Sequence, residues 1–123
     1  MVSKETLFLM RVCIISSSFY PATIYGGPIS ATWDLSKRLV QNNFEVYVST
    51  TNANGNNKLK VSSNIYIKKQ ANLFVKYYNE QIINRFSLSF ILGIWKDIRM
   101  SDVIYIQYLF HYTVVFSLII SFL

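Results

Sequence analysis

Cysteine, histidine and acidic residues are scarce in this sequence of 123 residues, which has one Cys, one His and six Asp and Glu. A single cysteine excludes a disulfide framework and favours a reducing compartment. Because Cys13 stands inside an apolar run, we interpret it as a small buried side chain rather than as a nucleophile.

Basic residues outnumber the acidic ones by twelve to six, and the net charge is +6. Eight of the twelve fall between positions 58 and 99. This pattern is typical of a solvated basic surface, and also of contact with an anionic membrane or with phosphate-bearing substrates. Nucleic acid is the weakest interpretation, because no nucleic-acid-binding motif accompanies the charge, and we predict no such partner.

The two ends of the chain differ in composition. Residues 1–9 contain Lys4, Glu5 and no small-residue cleavage site, so we expect an amino-terminal extension rather than a secretory signal. Residues 103–123 contain no charged side chain and are long enough to cross a bilayer as one helix. Their first half is rich in β-branched and aromatic residues, so we favour a strand followed by a helix.

A strand–helix–strand unit is the clearest pattern. Residues 11–15 form an apolar run that predicts a strand covered on both faces. Gly27 and Pro28 predict the start of a helix that continues to about Gln41, and residues 44–50 alternate as a second strand. Such a crossover implies parallel neighbours, so the sequence predicts an α/β fold with a parallel sheet and flanking helices.

The start of this helix is a candidate anion site. We predict free N–H groups at Ile29, Ser30 and Ala31, which would point beyond the carboxyl end of the first strand. Gly26 and Gly27 would let a ligand approach the backbone closely. The packed arc of the helix is predicted to contain Ile29, Trp33, Leu35, Leu39 and Val40.

The later elements are predicted from shorter signals. Residues 51–57 are an Asn- and Gly-rich stretch for which we expect a mobile loop, and 70–83 fit no single period. A short strand with edge lysines is expected at 64–69, a central strand at 102–108 and a final helix at 112–123. A helix is predicted at 87–100 with one apolar face formed by Leu88, Ile91, Leu92, Trp95 and Ile98.

Several motifs occur in a characteristic order. The chain contains Phe19-Tyr20-Pro21, then Tyr25-Gly26-Gly27-Pro28, then Phe44-Glu45-Val46, and later Ser101-Asp102-Val103-Ile104-Tyr105-Ile106-Gln107. In this order they resemble the amino-terminal, acceptor-side domain of family 4 glycosyltransferases, which are retaining enzymes of the GT-B class. The likeness extends from residue 10 to 123 and implies a partial, Rossmann-like domain without the carboxy-terminal donor domain.

The resemblance implies transfer of a sugar from a nucleotide sugar to a glycan or a lipid-linked acceptor, in surface polysaccharide or glycolipid synthesis. It implies neither cofactor nor metal, and a cytoplasmic location at the inner face of the membrane. A separate chain could supply the donor domain. Because that domain carries most of the catalytic electrostatics, we expect this chain alone to be inactive.

The resemblance also implies site residues. The donor's diphosphate and sugar would lie against Gly26 and Gly27, with Tyr25 and Ser30 as neighbours. Gln107 stands where relatives often have a histidine, and it could bind a sugar hydroxyl but not act as a base. His111 is a second candidate for substrate contact. The alternative for the glycines is a tight helix entry without a ligand, and for His111 a loop residue without a role.

The residues also bear on two other classes of function. A dinucleotide-binding oxidoreductase is disfavoured, because G-x-G-x-x-G is missing and Ser49-Thr50-Thr51 offers no acid to a ribose. A small membrane-associated or structural α/β protein without catalysis stays open as the alternative to a transferase.

Overall fold

The structure, a computed structural model, describes residues 10–55, 57–79, 88–107 and 119–121. The predicted extension 1–9, His111 and most of the predicted final helix lie outside these ranges. The described elements are, in chain order, β1 (Arg11–Ile15), α1 (Gly27–Gln41), β2 (Glu45–Thr51), β3 (Ala53–Asn54), β4 (Asn57–Lys58), β5 (Tyr66–Gln70), β6 (Leu73–Tyr78), α2 (Leu88–Arg99) and β7 (Val103–Ile106).

A five-stranded sheet in the order β5-β6-β2-β1-β7 forms the centre of this α/β fold. Strands β6, β2, β1 and β7 are parallel, and β5 pairs antiparallel with β6. The predicted strand–helix–strand unit is confirmed, since β1 and β2 pair in parallel from Arg11–Glu45 to Ile15–Ser49 and α1 lies between them in sequence. Helix α1 begins at Gly27 with Pro28 in its first turn, as predicted.

The two faces of the sheet carry separate cores. One core packs against the partly buried Trp33, Leu35, Leu39 and Val40 of α1, as predicted. Helix α1 also buries Thr32 and Ser36, whose hydroxyls donate to backbone carbonyls one turn earlier at 2.7 and 2.8 Å. The other core packs against α2 and contains Cys13, Ile15, Tyr78, Phe90, Ile94 and Ile98.

The predicted apolar face of α2 is confirmed at Ile98 and wrong at Leu92 and Trp95. Phe90, Ile94 and Ile98 are buried against the sheet, whereas Leu92 and Trp95 are exposed. Apolar residues occur all around this helix, so their spacing alone could not identify the packed side. The helix is instead rotated about its axis so that Asp97 faces the sheet.

Asp97 is fully buried, and its carboxylate accepts hydrogen bonds from several strands. The donors are Ser49 Oγ at 2.8 Å, Tyr66 Oη at 2.9 Å, Tyr78 Oη at 2.5 Å and Lys76 Nζ at 2.7 Å. We call these five residues the Asp97 cluster. The Lys76 ammonium also lies 4.2 Å from the centre of the Tyr66 ring, a cation–π distance. The cluster therefore joins α2 to β2, β5 and β6.

Three local predictions differ from the structure. The stretch expected to be a mobile loop continues β2 and then contains the β3–β4 hairpin, with Asn52 and Ala53 buried. Part of the segment without a clear period is strand β6, because parallel pairing with β2 supplies its hydrogen bonds. Strand β7, expected at the sheet centre, is at one edge of the described sheet, with Val103 and Tyr105 exposed.

Replacing Gly93 with alanine is expected to lower the free energy of unfolding by about 1–2 kcal/mol, although alanine is the better helix former by about 1 kcal/mol. A Cβ at this position would stand 2.5 Å from Tyr78 Oη and 2.7 Å from Tyr78 Cε1. Tyr78 cannot move aside easily, because it is buried and donates to Asp97. Urea unfolding of the two proteins measures the difference.

The matched control places the same substitution in a Tyr78→Leu background, which removes the phenol ring. There Gly93→Ala should be neutral or stabilising by up to about 1 kcal/mol. Equal losses in both backgrounds would contradict the steric explanation.

Candidate functional site

Four parallel strands end at the same side of the sheet, which we call the carboxyl edge. The residues that follow them are Ser16 after β1, Asn52 after β2, Asn79 after β6 and Gln107 after β7. In open α/β sheets this side is where ligands bind. The elements on both sides of β1 converge here, because Ser16 N donates to Ser49 O at 3.1 Å and Gln107 N donates to Ile15 O at 2.8 Å.

Three consecutive serines after β1 are all buried at this edge. Ser16 Oγ donates to Ser18 O at 2.8 Å, and Thr51 Oγ1 donates to Ser17 O at 2.6 Å. The hydroxyls of Ser17 and Ser18 have no hydrogen-bond partner within the described part of the chain. An unpaired buried hydroxyl costs about 1–3 kcal/mol, so these two oxygens are places where a polar ligand or water would be stabilised.

Tyr25 connects the glycine loop to the loop after β2. Its phenol oxygen accepts a hydrogen bond from Gly55 N at 2.8 Å, so it acts inside the protein as a brace. Gly26 has φ +88°, a conformation that glycine adopts without strain, and a Cβ built at Gly26 or Gly27 meets nothing within 4 Å. The backbone at the start of α1 is therefore open to a ligand.

The set of free amides at this helix start is smaller than predicted. Ile29 N donates to Gly26 O at 3.1 Å, and Gly26 N donates to Thr23 O at 3.0 Å. Pro28 has no N–H to offer. The prediction that Ile29 exposes a free N–H is therefore wrong, and any anion here would meet fewer donors than at an ordinary helix start.

The remaining predicted residues fall in different places. Ser30 is exposed in the first turn of α1. Gln107 is partly buried and directly beside the end of β1, through its backbone bond to Ile15. The structure therefore places Gln107 close to the three serines that follow β1. It places Tyr25, which precedes Gly26 and Gly27, close to the loop after β2. His111 lies outside the described residues.

The side chains that the structure places at the carboxyl edge are mainly hydroxyls and amides. Asn52 Nδ2 and Lys58 Nζ both donate to Asn79 Oδ1, at 3.2 and 3.1 Å, and this lysine adds a positive charge at one side. Among the described residues, no group of three or more His, Cys, Asp and Glu is suited to a metal ion. Neutral donors and acceptors of this kind suit the hydroxyl groups of a polyhydroxylated ligand.

Tyr77 holds the long loop between β1 and α1 against the sheet. Its phenol donates to Tyr20 O at 2.6 Å, and the Tyr20 ring stacks on Trp33 with centroids 4.4 Å apart. Burial, followed by the interaction with Tyr20, raises the pKa of Tyr77 above its usual range. Tyr77 therefore stays protonated, and its hydrogen bond to Tyr20 O holds the loop in position.

Sequence reasoning missed the serine and threonine hydroxyls of this edge. The signal was present, since Ser16-Ser17-Ser18 and Ser49-Thr50-Thr51-Asn52 end two adjacent parallel strands. From the sequence alone, the first group indicates only the end of a strand. A shallow depression of about 320 Å³ on the outward side of α1, lined by Asp34, Lys37, Arg38 and Gln41, is a separate feature.

Comparison with protein-family models, with curated proteins and with solved structures finds no match. Neither described helix has the length and apolar character needed to span a bilayer.

Proposed function

We propose that the chain is the acceptor-side domain of a retaining glycosyltransferase, with a Rossmann-like sheet of the GT-B class. It would take part in moving a sugar from a nucleotide sugar to a glycan or lipid-linked acceptor, in surface polysaccharide or glycolipid synthesis at the cytoplasmic membrane face. A donor domain outside this chain would supply most of the catalytic electrostatics, so the chain alone would not turn over substrate.

The carboxyl edge is the observation that carries this proposal. It combines two buried, unpaired hydroxyls at Ser17 and Ser18 with an open helix start at Gly26 and Gly27. The exposed Ser30 hydroxyl and the partly buried Gln107 amide would offer neutral hydrogen-bonding groups to a sugar, and the glycines would give backbone access to its phosphates. The motif order that resembles family 4 glycosyltransferases supports the same assignment.

Replacing Gly27 with aspartate tests the site without disturbing the fold. The new side chain meets open space, and a carboxylate in the first helical turn should stabilise α1 by about 0.3–1 kcal/mol. A carboxylate beside the bound diphosphate should weaken binding of UDP-glucose or GDP-mannose about tenfold or more. Saturation-transfer difference NMR with each nucleotide sugar measures this.

Gln41→Asp is the matched control, since it makes the same charge change at the exposed far end of α1. It should leave nucleotide-sugar binding unchanged. Equal binding by the wild type and Gly27→Asp would refute the glycine site. If neither sugar binds the wild type, that result would favour a small membrane-associated or structural α/β protein without catalysis.

A further inference from the structure

The outward side of α2 has an unusual composition for a helix packed on a sheet. It contains Leu92, which is 73% exposed, and Trp95, which is 47% exposed. Lys96 and Arg99 are exposed on the same side. At 100° per residue these four residues fall within about 100° of arc, and we call them the α2 outer face.

The α2 outer face has basic and apolar groups and no acidic one. The acid of this helix, Asp97, is fully buried and paired with Lys76 on the opposite side. Arg99 lies over the Trp95 ring, with its guanidinium carbon 4.7 Å from the ring centroid. Its alkyl stem and the indole therefore form one amphipathic surface, apolar below and positively charged at the rim.

We propose that the α2 outer face docks on the surface of an anionic lipid bilayer. The inference rests on the proposed function in one respect, since it names the face by which that domain would reach a lipid-linked acceptor. Trp is the side chain favoured at the boundary between lipid headgroups and acyl chains, and Lys and Arg attract anionic headgroups. Leu92 beside Trp95 provides the apolar group that can enter the boundary.

A bilayer fits this face better than a protein partner does. A stable protein interface buries about 800 Å² on each partner and is depleted of lysine at its centre. Four side chains on one side of a 12-residue helix give a smaller patch that includes Lys96. A membrane needs no matching contour, because lipid headgroups rearrange around a few basic and aromatic side chains.

Vesicle flotation of the full chain, without any sugar present, tests the proposal. The chain should float with vesicles of phosphatidylglycerol and phosphatidylcholine and not with phosphatidylcholine alone, and added salt should release it. Lys96→Glu with Arg99→Glu should weaken binding about tenfold or more. Replacing Leu92 and Trp95 together with serine should weaken it as well, because the apolar contact is lost.

Lys37→Glu with Arg38→Glu is the matched control. It makes the same charge change on α1, and both side chains lie at the outward depression of that helix. The loss of vesicle binding in this double variant should be clearly smaller than the loss in Lys96→Glu with Arg99→Glu. Equal losses in the two double variants would overturn the proposal in favour of binding by net charge alone. Absence of flotation with anionic vesicles would overturn it outright.

Tryptophan emission gives a second readout that does not depend on charge variants. The chain has two tryptophans, so Trp33→Phe leaves Trp95 as the reporter. Its emission should shift to the blue with anionic vesicles and be quenched by brominated acyl chains. An unchanged spectrum during flotation would show that another surface binds. Because no nucleotide sugar is used, failure here is distinct from failure at the glycine site.

Discussion

Replacing Asp97 with asparagine is expected to lower the free energy of unfolding by about 3–5 kcal/mol. The side chain is fully buried and accepts hydrogen bonds from Ser49, Tyr66, Tyr78 and Lys76. An amide of the same size removes the negative charge but leaves the Lys76 ammonium, whose side chain is 13% exposed, without its counter-ion. Urea unfolding followed by circular dichroism measures the loss.

A second substitution separates the charge effect from packing. Lys76→Met in the Asp97→Asn protein removes the stranded cation, and it should restore a large part of the lost stability. Asp34→Asn is the surface control, because Asp34 pairs with Lys37 at 3.4 Å while 61% exposed, and it should cost no more than about 1 kcal/mol. If the free energy of unfolding of Asp97→Asn lies within about 1 kcal/mol of the wild-type value, the stabilising role assigned to the Asp97–Lys76 pair is wrong.

The strand–helix–strand unit could be predicted because each of its signals is local. The apolar run of β1 has strand length, and Gly27-Pro28 marks a helix start by backbone chemistry alone. The observed bounds Arg11–Ile15 and Gly27–Gln41 agree with the predicted ones. Parallel pairing then follows from the length of the crossover.

The orientation of α2 could not be predicted, because it depends on residues distant in sequence. Leu92 and Trp95 appeared suited to a core, yet they are exposed, and Asp97 faces the sheet. The partners that stabilise this acid come from positions 49, 66, 76 and 78. No periodicity within residues 88–99 contains that information.

Only part of the candidate site could be predicted, because the rest of it also depends on contacts between residues distant in sequence. The glycine loop has a sequence signature, so Gly26 and Gly27 could be located in advance. The burial of Ser17 and Ser18 depends on how the loop folds back, with Thr51 donating to the Ser17 carbonyl. The pairing of Tyr25 with Gly55 joins two loops 30 residues apart and has no local signal.

The carboxyl edge and the α2 outer face are built from different elements. The edge is formed by the ends of β1, β2, β6 and β7 together with the start of α1, whereas the outer face belongs to α2 alone. Their substitutions therefore lie on different helices. A variant at one surface can serve as a folded control for the other, and their effects should add.

Alkaline pH is expected to lower the free energy of unfolding progressively from about pH 9. Burial raises the pKa of the Cys13 thiol from 9.0 to about 12. The thiol's contribution is fully present below pH 9.0 and is lost as pH rises toward 12, since the unfolded chain loses this proton first. That shift corresponds to about 4 kcal/mol by pH 12. Circular dichroism across the pH range measures the fall in stability.

The partly buried Tyr66 and the buried Tyr78 act in the same direction at higher pH. Burial first, and then the nearby Asp97 carboxylate, raise the pKa of Tyr66 and of Tyr78 above the usual value of 10.0, so their contribution begins to fall above pH 10. Their phenolate absorbance should therefore appear together with unfolding and not before it. In Cys13→Ala the fall in the free energy of unfolding should begin nearer to pH 10, where these tyrosines start to contribute. If the free energy of unfolding begins to fall at the same pH in Cys13→Ala as in the wild type, the thiol does not contribute to the pH dependence of stability.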